Sequence, residues 1–94
     1  RDVSCAVEPG PKKMRLRAEI DMPAIGGTEH VVFETSNPAI WVAEAKTRRE
    51  GNRLIAETEL MQMNGQPFAL DRSGLRLTVL GADRAVDIQG CPAR

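Results

Sequence analysis

The chain has 94 residues, which is enough for one domain and too few for two. Apolar residues make up 41% of the sequence, which excludes intrinsic disorder, and only three residues are aromatic, so the core must be built mainly from aliphatic side chains. Thirteen acidic side chains balance thirteen basic ones. A non-specific binder of nucleic acid or of an anionic membrane carries a basic excess, so the charge balance argues against both partners.

Residues 1–11 end in Pro-Gly-Pro and predict an irregular lead-in that carries Cys5. Cys5 and Cys91 are the only cysteines, and their spacing fits neither a CxxC redox pair nor, with a single histidine, a structural zinc site. We therefore expect a disulfide that joins the two ends of the chain. Closing so long a loop stabilises a fold by roughly 4 to 5 kcal/mol in the chain-entropy model. The alternative is two buried, reduced thiols in a cytosolic protein.

Residues 12–21 alternate between apolar and charged side chains, which is the pattern of a half-buried strand. Pro23 and a Gly-Gly pair then break the chain, and a second strand is expected over 29–36 with Val31 and Phe33 on one side. Asn37-Pro38 predicts the next turn, because the residue before a proline is pushed out of the helical region.

The central part of the chain predicts a long hairpin. Alternation over 39–49 puts Trp41 on the apolar side, so we expect this tryptophan in the core. Gly51-Asn52 is a tight-turn signal, and the chain is expected to return as a strand over 53–63. Because 53–63 is rich in good helix formers, a helix there is the alternative.

Asn64-Gly65 predicts a shorter hairpin into Phe68 and Leu70, in which Pro67 limits the second strand to a sheet edge. Alternation resumes over 75–80, a turn follows at 81–83, and Val86 and Ile88 then lead to Gly90-Cys91-Pro92. The whole chain, 1–94, is thus expected to be a single all-β domain, a six- to seven-stranded antiparallel sandwich that resembles an immunoglobulin-like domain in architecture. The resemblance is limited to architecture, because immunoglobulin cysteines lie within strands and these are terminal.

Several apolar side chains fall on the mainly polar side of their strands, which predicts a patch that contacts another protein. They are Val32, Val42, Ile55, Met61 and Leu80. The alternative is that a neighbouring loop, 1–11 or 21–28, covers them.

Two basic clusters predict a second surface. Their outward members are Lys13, Arg15, Arg17, Lys46, Arg48 and Arg53. If the two strands that carry them are neighbours, they form one positive patch for an acidic partner. The alternative is ordinary strand charge, which discourages edge-to-edge aggregation.

A copper(I) site is a further hypothesis, because thioether and imidazole ligands suit that ion. Its ligands would come from Met22, His30, Met61 and Met63, and the alternative is that these side chains fill the core or are solvated. No serine or cysteine nucleophile motif surrounds the histidine, and Glu57 with Glu59 is expected to be a solvated pair. We therefore expect neither catalysis nor a cofactor.

The function predicted from these features is a non-catalytic protein-binding or structural module of the bacterial periplasm or cell envelope, with its signal peptide already removed. A disulfide suits such a compartment, and no apolar run approaches the ~20 residues of a membrane span. The alternative is a small inhibitor or ligand-binding domain that uses loop 22–29 or 64–68, since function often lies on loops. An enzyme or a copper-binding protein ranks third.

Overall fold

The computed structural model describes residues 2–66 and 68–93, and all the regular elements in these ranges are β-strands. The prediction for Pro67 lies outside the described residues. No helix in these ranges is long and apolar enough to cross a membrane. The strands are β1 (Val3–Pro9), β2 (Met14–Asp21), β3 (His30–Glu34), β4 (Ile40–Val42), β5 (Lys46–Glu50), β6 (Arg53–Gln62), β7 (Arg76–Leu80) and β8 (Ala85–Gln89).

Two antiparallel sheets pack face to face. The first, sheet A, has the order β1-β2-β6, and both β4 and β5 pair with the free side of β6. The second, sheet B, has the order β3-β7-β8. When β4 and β5 are counted as one interrupted strand, the order is that of a constant-type immunoglobulin sandwich. The predicted all-β antiparallel sandwich is confirmed.

The core lies between the sheets, where the inward side chains of both meet. The alternation predicted for 12–21 is confirmed, because every second residue of β2 from Met14 to Ile20 is buried. Val31 and Phe33 on β3 and Leu77 and Val79 on β7 complete the opposite wall.

The first residues form a strand rather than the predicted irregular lead-in. β1 pairs with β2 along its whole length, from Val3 opposite Ile20 to Pro9 opposite Met14. The prediction for 1–11 was wrong because Val3, Cys5 and Val7 already alternate with polar or small residues, and the Pro-Gly-Pro segment forms only the connection to β2.

The Cys5–Cys91 disulfide is present and joins β1 of sheet A to the residue after Gly90, just beyond β8 of sheet B. The two Cα atoms are 5.5 Å apart, and both side chains are buried. The backbone N–H of Cys5 donates to the carbonyl of Pro92 at 2.9 Å, and Arg72 Nη1 donates to the Cys5 carbonyl at 2.7 Å. The ends of the chain are therefore fastened by hydrogen bonds as well as by the covalent bond.

The helical alternative for 53–63 is wrong. β6 is a strand that pairs with β2 on one side and with β4 and β5 on the other. The predicted hairpin is confirmed, with Glu50 opposite Arg53 and a two-residue turn between them. Gly51 has a φ of 62° and Asn52 does not have a positive φ, which is the pattern of a type II′ turn.

The strand predicted over 39–49 is interrupted by a β-bulge. Residues 43–45 stand opposite only two residues of β6, 58 and 59, so β4–β5 contains one extra residue. Ala43 N donates to the Glu59 carbonyl at 2.9 Å, and Thr58 Oγ1 donates to the Ala43 carbonyl at 2.5 Å. Both hydrogen bonds hold Ala43, the first residue of the bulge.

Because of the bulge, each side chain of β4 points to the opposite face of sheet A from the one predicted. One additional residue exchanges the two faces of a strand, so Trp41 points outward and is 44% exposed, while Val42 packs against the core. The prediction of a core tryptophan was therefore wrong.

The short hairpin predicted after Asn64-Gly65 does not form. Gly65 N donates to the Gln62 carbonyl at 2.8 Å and closes a turn. The described residues that follow, 66 and 68–71, contain no strand, although Phe68 and Leu70 pack against the core.

Candidate functional site

The outward face of sheet A carries basic and acidic side chains in alternation across the strands. The register of β1, β2, β5 and β6 gives two neighbouring rows, Glu8–Arg15–Glu59 and Arg17–Glu57–Lys46. Each basic side chain in these rows therefore has a carboxylate beside it on the neighbouring strand. Cross-strand pairs of opposite charge stabilise a sheet modestly.

This arrangement separates the two predicted basic clusters. β2 and β5 are not neighbours, because β6 lies between them and contributes Glu57 and Glu59 to the same face. The predicted residues are Arg15 and Arg17 on β2, Lys46 and Arg48 on β5, Arg53 on β6, and Lys13 just before β2. They lie on one side of the molecule but are divided by carboxylates, so they do not form one continuous positive patch.

Ion pairs hold several of these side chains. Arg48 contacts Glu50 at 3.0 Å and Glu57 at 3.4 Å, and Arg53 contacts Glu19 at 3.2 Å. The side-chain hydrogen bond to Glu50 raises the pKa of Arg48 above its ordinary value. Both arginine side chains are about half exposed, and exposed pairs of this kind contribute little to stability.

The five residues predicted to form an apolar interaction face do not share one face. Val32 and Leu80 lie on the outward side of sheet B, and Met61 lies on the outward side of sheet A. Val42 packs against the core because of the bulge. Ile55 does face outward, but it is only 2% exposed and so cannot contact a partner as predicted.

The burial of Ile55 follows from its neighbours. Across the strands it stands between Glu19 and Arg48, and along β6 it lies between Arg53 and Glu57. Long charged side chains cover apolar surface with their aliphatic stems while their charged ends stay in water. Ile55 is thus buried on the outward face of sheet A by the aliphatic stems of these charged side chains.

Sheet B presents two exposed apolar side chains within a polar surface. Val32 is 44% exposed and Leu80 is 40% exposed. Thr78 lies directly opposite Val32, and its hydroxyl donates to Asp87 at 2.8 Å. The hydrogen bond from Arg76 to the same carboxylate lowers the pKa of Asp87 below its ordinary value.

An apolar cluster stands at the far end of sheet A and was only partly predicted. Trp41 lies directly opposite Met61, and the ladder continues with Met63 N donating to the Ala39 carbonyl at 2.8 Å. Met63 is 65% exposed and lies just beyond β6, and the alternation that its hydrogen bond to Ala39 continues places it on the same side as Met61, two residues earlier. We call Trp41, Met61 and Met63 the Trp41 cluster.

The backbone beside this cluster is an open sheet edge. β4 is the last strand on its side of sheet A, and residues 39–43 read Ala-Ile-Trp-Val-Ala without a charge. Ala39 and Ala43 bond toward β6, so the alternation of an antiparallel ladder directs the Ile40 carbonyl and both backbone groups of Val42 away from it.

The residues of the copper hypothesis are not brought together. Met22 is 2% exposed within the core, and His30 begins β3 in sheet B. Only Met61 and Met63 share a surface. Within residues 2–66 and 68–93, no three His, Cys, Asp or Glu side chains are grouped so that they could hold a metal ion.

Loop 22–29, the crossover from sheet A to sheet B, is fastened to β5. Arg49 Nη2 donates to Glu29 Oε2 at 2.7 Å, and Arg49 Nη1 donates to the Met22 carbonyl at 2.9 Å. Glu29 also accepts from Ile25 N at 3.2 Å, and Ala82 N donates to the Gly26 carbonyl at 3.0 Å. The loop therefore has a defined shape, and an open hollow beside it is bordered by residues 21–23, 50, 52 and 53.

Comparison of the chain with models of known protein families, with curated proteins and with solved structures gives no match. The surfaces of this chain are therefore the only indication of its function. Two surfaces combine an exposed apolar side chain with a sheet edge, namely Val32 on β3, which ends in Glu34, and the Trp41 cluster beside β4, which carries no charge.

Proposed function

We propose that this chain is a non-catalytic protein-binding module of the bacterial periplasm or cell envelope, and that it binds an extended segment of its partner as an additional strand beside β4. The observation that supports the proposal is the exposed Trp41, which stands opposite Met61 on an edge strand without charge. Tryptophan and methionine are enriched in protein interfaces, and tryptophan is prominent among the residues that dominate binding energy.

The edge at β4 differs from neighbouring edges in how little protects it. Native proteins shield sheet edges with charged side chains, prolines or covering segments. β5, on the same side of β6, carries Lys46, Arg48 and Glu50, and β1 is held against the C-terminal segment by the hydrogen bond from Cys5 to Pro92. β4 itself carries no charge or proline, and its protection is limited to its short length and the bulge at 43–45 that follows it.

Strand addition uses the groups that β4 leaves directed outward. The partner's backbone would pair with the Ile40 carbonyl and with the N–H and carbonyl of Val42, and one of its side chains would pack against Trp41. Main-chain hydrogen bonds supply affinity in this mode of recognition, and side-chain contacts supply specificity. The Cys5–Cys91 disulfide is compatible with the oxidising compartment that the proposal names.

The test compares two lysine substitutions at similarly exposed apolar residues. The protein is first isolated gently from its own source, and native mass spectrometry identifies a complex heavier than the 10.3 kDa chain. Binding of that partner to the wild type, to Trp41→Lys and to Leu80→Lys is then measured by calorimetry. Trp41 and Leu80 are 44% and 40% exposed, so both variants should fold.

Strand addition predicts that Trp41→Lys weakens binding by about 30-fold or more, because the substitution removes an anchor and puts a charge on the edge. Leu80→Lys should bind like the wild type. A loss seen only with Leu80→Lys would move the interface to sheet B. Equal binding by all three proteins, or a source protein that is always monomeric, would contradict the proposal.

A second candidate is an inhibitor that presents loop 22–29. The favouring observation is that this exposed loop is held in shape by Arg49 and Glu29, and preorganised loops bind with a smaller entropic loss. A panel of proteases provides the test, since an inhibitor blocks at least one of them at stoichiometric amounts. Inhibition that survives Trp41→Lys would favour this candidate over strand addition.

A further inference from the structure

We propose that the Trp41 cluster forms a surface site for a soft monovalent metal ion, Cu(I) or Ag(I). The chain has four methionines, and the structure divides them into two pairs. Met14 and Met22 are buried in the core, whereas Met61, which is half-buried, and Met63, which is exposed, lie on the outward side that carries the only tryptophan. This inference goes beyond protein binding and stands independently of strand addition.

The strand geometry brings the three side chains within reach of one ion. Residues two apart on a strand point to the same face about 7 Å apart, and residues directly opposite are closer, about 5 Å between Cβ atoms. Met61 therefore has Trp41 beside it, and Met63 follows just beyond the end of β6, where its backbone N–H continues the ladder to Ala39. Ala39, opposite Met63, is small and leaves room for the flexible thioether to turn toward the indole.

The chemistry of these side chains selects the class of ion. Thioether sulfur is a soft ligand that prefers Cu(I) to hard cations, and the face of an indole attracts a cation. The nearest carboxylate by register is Glu59, which lies two residues before Met61 on the same outward face and stands opposite Arg15 on β2. Trp41, Met61 and Met63 themselves offer no oxygen ligand to a hard divalent ion such as Mg²⁺.

The other soft ligands of the chain do not compete for the ion. Both cysteines are joined in the disulfide, so neither offers a thiolate. His30 lies on sheet B, away from the methionines. A soft ion added to the folded, oxidised protein is thus directed to the thioethers of the half-buried Met61 and the exposed Met63.

Titration with silver nitrate in chloride-free buffer tests the site without a reductant that would open the disulfide. Trp41 is the only tryptophan and the chain contains no tyrosine, so the fluorescence excited at the indole band reports on the site directly. We expect a fluorescence change that saturates at one equivalent of Ag(I). Mg²⁺ should cause none.

Variants separate metal binding from a general effect on the protein. Met61→Leu and Met63→Leu remove one thioether each, and each is expected to weaken Ag(I) binding by about tenfold or more. Met22→Leu, a matched change in the core, should bind Ag(I) like the wild type. Leucine for methionine conserves volume and apolar character, so these variants should remain folded.

Methyl resonances of the methionines give a second measurement that does not depend on fluorescence. Ag(I) should shift the Met61 and Met63 signals and leave those of Met14 and Met22 in place. The absence of any shift, or Ag(I) binding that persists in the double variant Met61→Leu/Met63→Leu, would overturn the proposal. Because the leucine variants keep an apolar surface beside Trp41, strand addition can fail or succeed separately from metal binding.

Discussion

Arg49 and Glu29 form a two-point ion pair that ties β5 of sheet A to the loop entering sheet B. Arg49 Nε lies 2.5 Å from Glu29 Oε1, and Nη2 lies 2.7 Å from Oε2. The Glu29 side chain is only 6% exposed, and that of Arg49 is 21% exposed. Paired hydrogen bonds between a guanidinium and a carboxylate are the strong kind, and water cannot easily replace them here.

Arg49→Met should therefore lower the free energy of unfolding substantially. The substitution leaves Glu29 buried and without its cationic partner, which costs about 2 to 4 kcal/mol at a largely buried pair. Urea unfolding followed by circular dichroism provides the measurement. Arg48→Met is the matched control, because Arg48 pairs with exposed Glu50 and Glu57, and its loss should change stability far less. Equal losses for the two variants would contradict the assignment.

The same ion pair predicts the direction of pH dependence. The hydrogen bond from Arg49 lowers the pKa of the Glu29 carboxyl below its ordinary value of 4.5 in the folded protein. The unfolded chain therefore takes up the proton at a higher pH than the folded one. The contribution of the pair to stability is complete above the ordinary pKa and is lost as the pH falls through the lowered, folded-state pKa.

Glu29→Gln tests this contribution. At pH 7 the variant should be clearly less stable than the wild type, and the difference between the two proteins should shrink as the pH falls from about 5 toward 2. Urea unfolding at a series of pH values measures it. Glu57→Gln, at an exposed pair, supplies the comparison and should lower stability at pH 7 far less than Glu29→Gln does. A stability difference that stays constant with pH would show that Glu29 does not act through its charge.

The disulfide between Cys5 and Cys91 should account for much of the stability. The disulfide closes a loop of 86 residues, and the chain-entropy model assigns about 4 to 5 kcal/mol to a loop of that length. Reduction, or the double substitution Cys5→Ala/Cys91→Ala, should lower the free energy of unfolding by about 2 to 5 kcal/mol. The double variant should then be insensitive to reductant. Intact mass after alkylation should find no free thiol before reduction and two afterwards.

Much of the fold follows from simple alternation in the sequence. β2 and β6 were predicted because every second side chain is apolar, and the Gly51-Asn52 turn identified the hairpin of β5 and β6. β1 was missed although Val3, Cys5 and Val7 alternate, because the prolines nearby suggested irregular structure. The alternation of apolar and polar residues within a segment is thus a better predictor of a strand than the presence or absence of prolines beside it.

The candidate site was predicted only in part, and the reason is the bulge at 43–45. Met61 was expected on an outward face and lies there. Trp41 and Val42 were assigned to the wrong faces. Ala43, Glu44 and Ala45 continue the apolar–polar alternation, so the sequence does not show that the strand contains an extra residue here. Register against β6 is a tertiary property, so the local sequence did not identify the exposed tryptophan.

The hydrogen bond from Thr58 to Ala43 holds that bulge and gives the last prediction. Thr58 is 5% exposed, and its Oγ1 donates to the Ala43 carbonyl at 2.5 Å. Thr58→Val keeps the shape of the side chain but leaves the carbonyl without this donor, which costs about 1 to 3 kcal/mol. Because the bulge sets the facing of β4, the fluorescence maximum of Trp41 should shift as well.

Thr78→Val is the control for this experiment, since its hydroxyl bonds exposed Asp87, where water can take its place. Urea unfolding and fluorescence spectra of both variants measure the effects. A smaller loss for Thr58→Val than for Thr78→Val, with an unchanged spectrum, would show that the Thr58 hydroxyl does not hold the bulge. A larger loss with a shifted spectrum would tie this one hydroxyl to the exposure of Trp41.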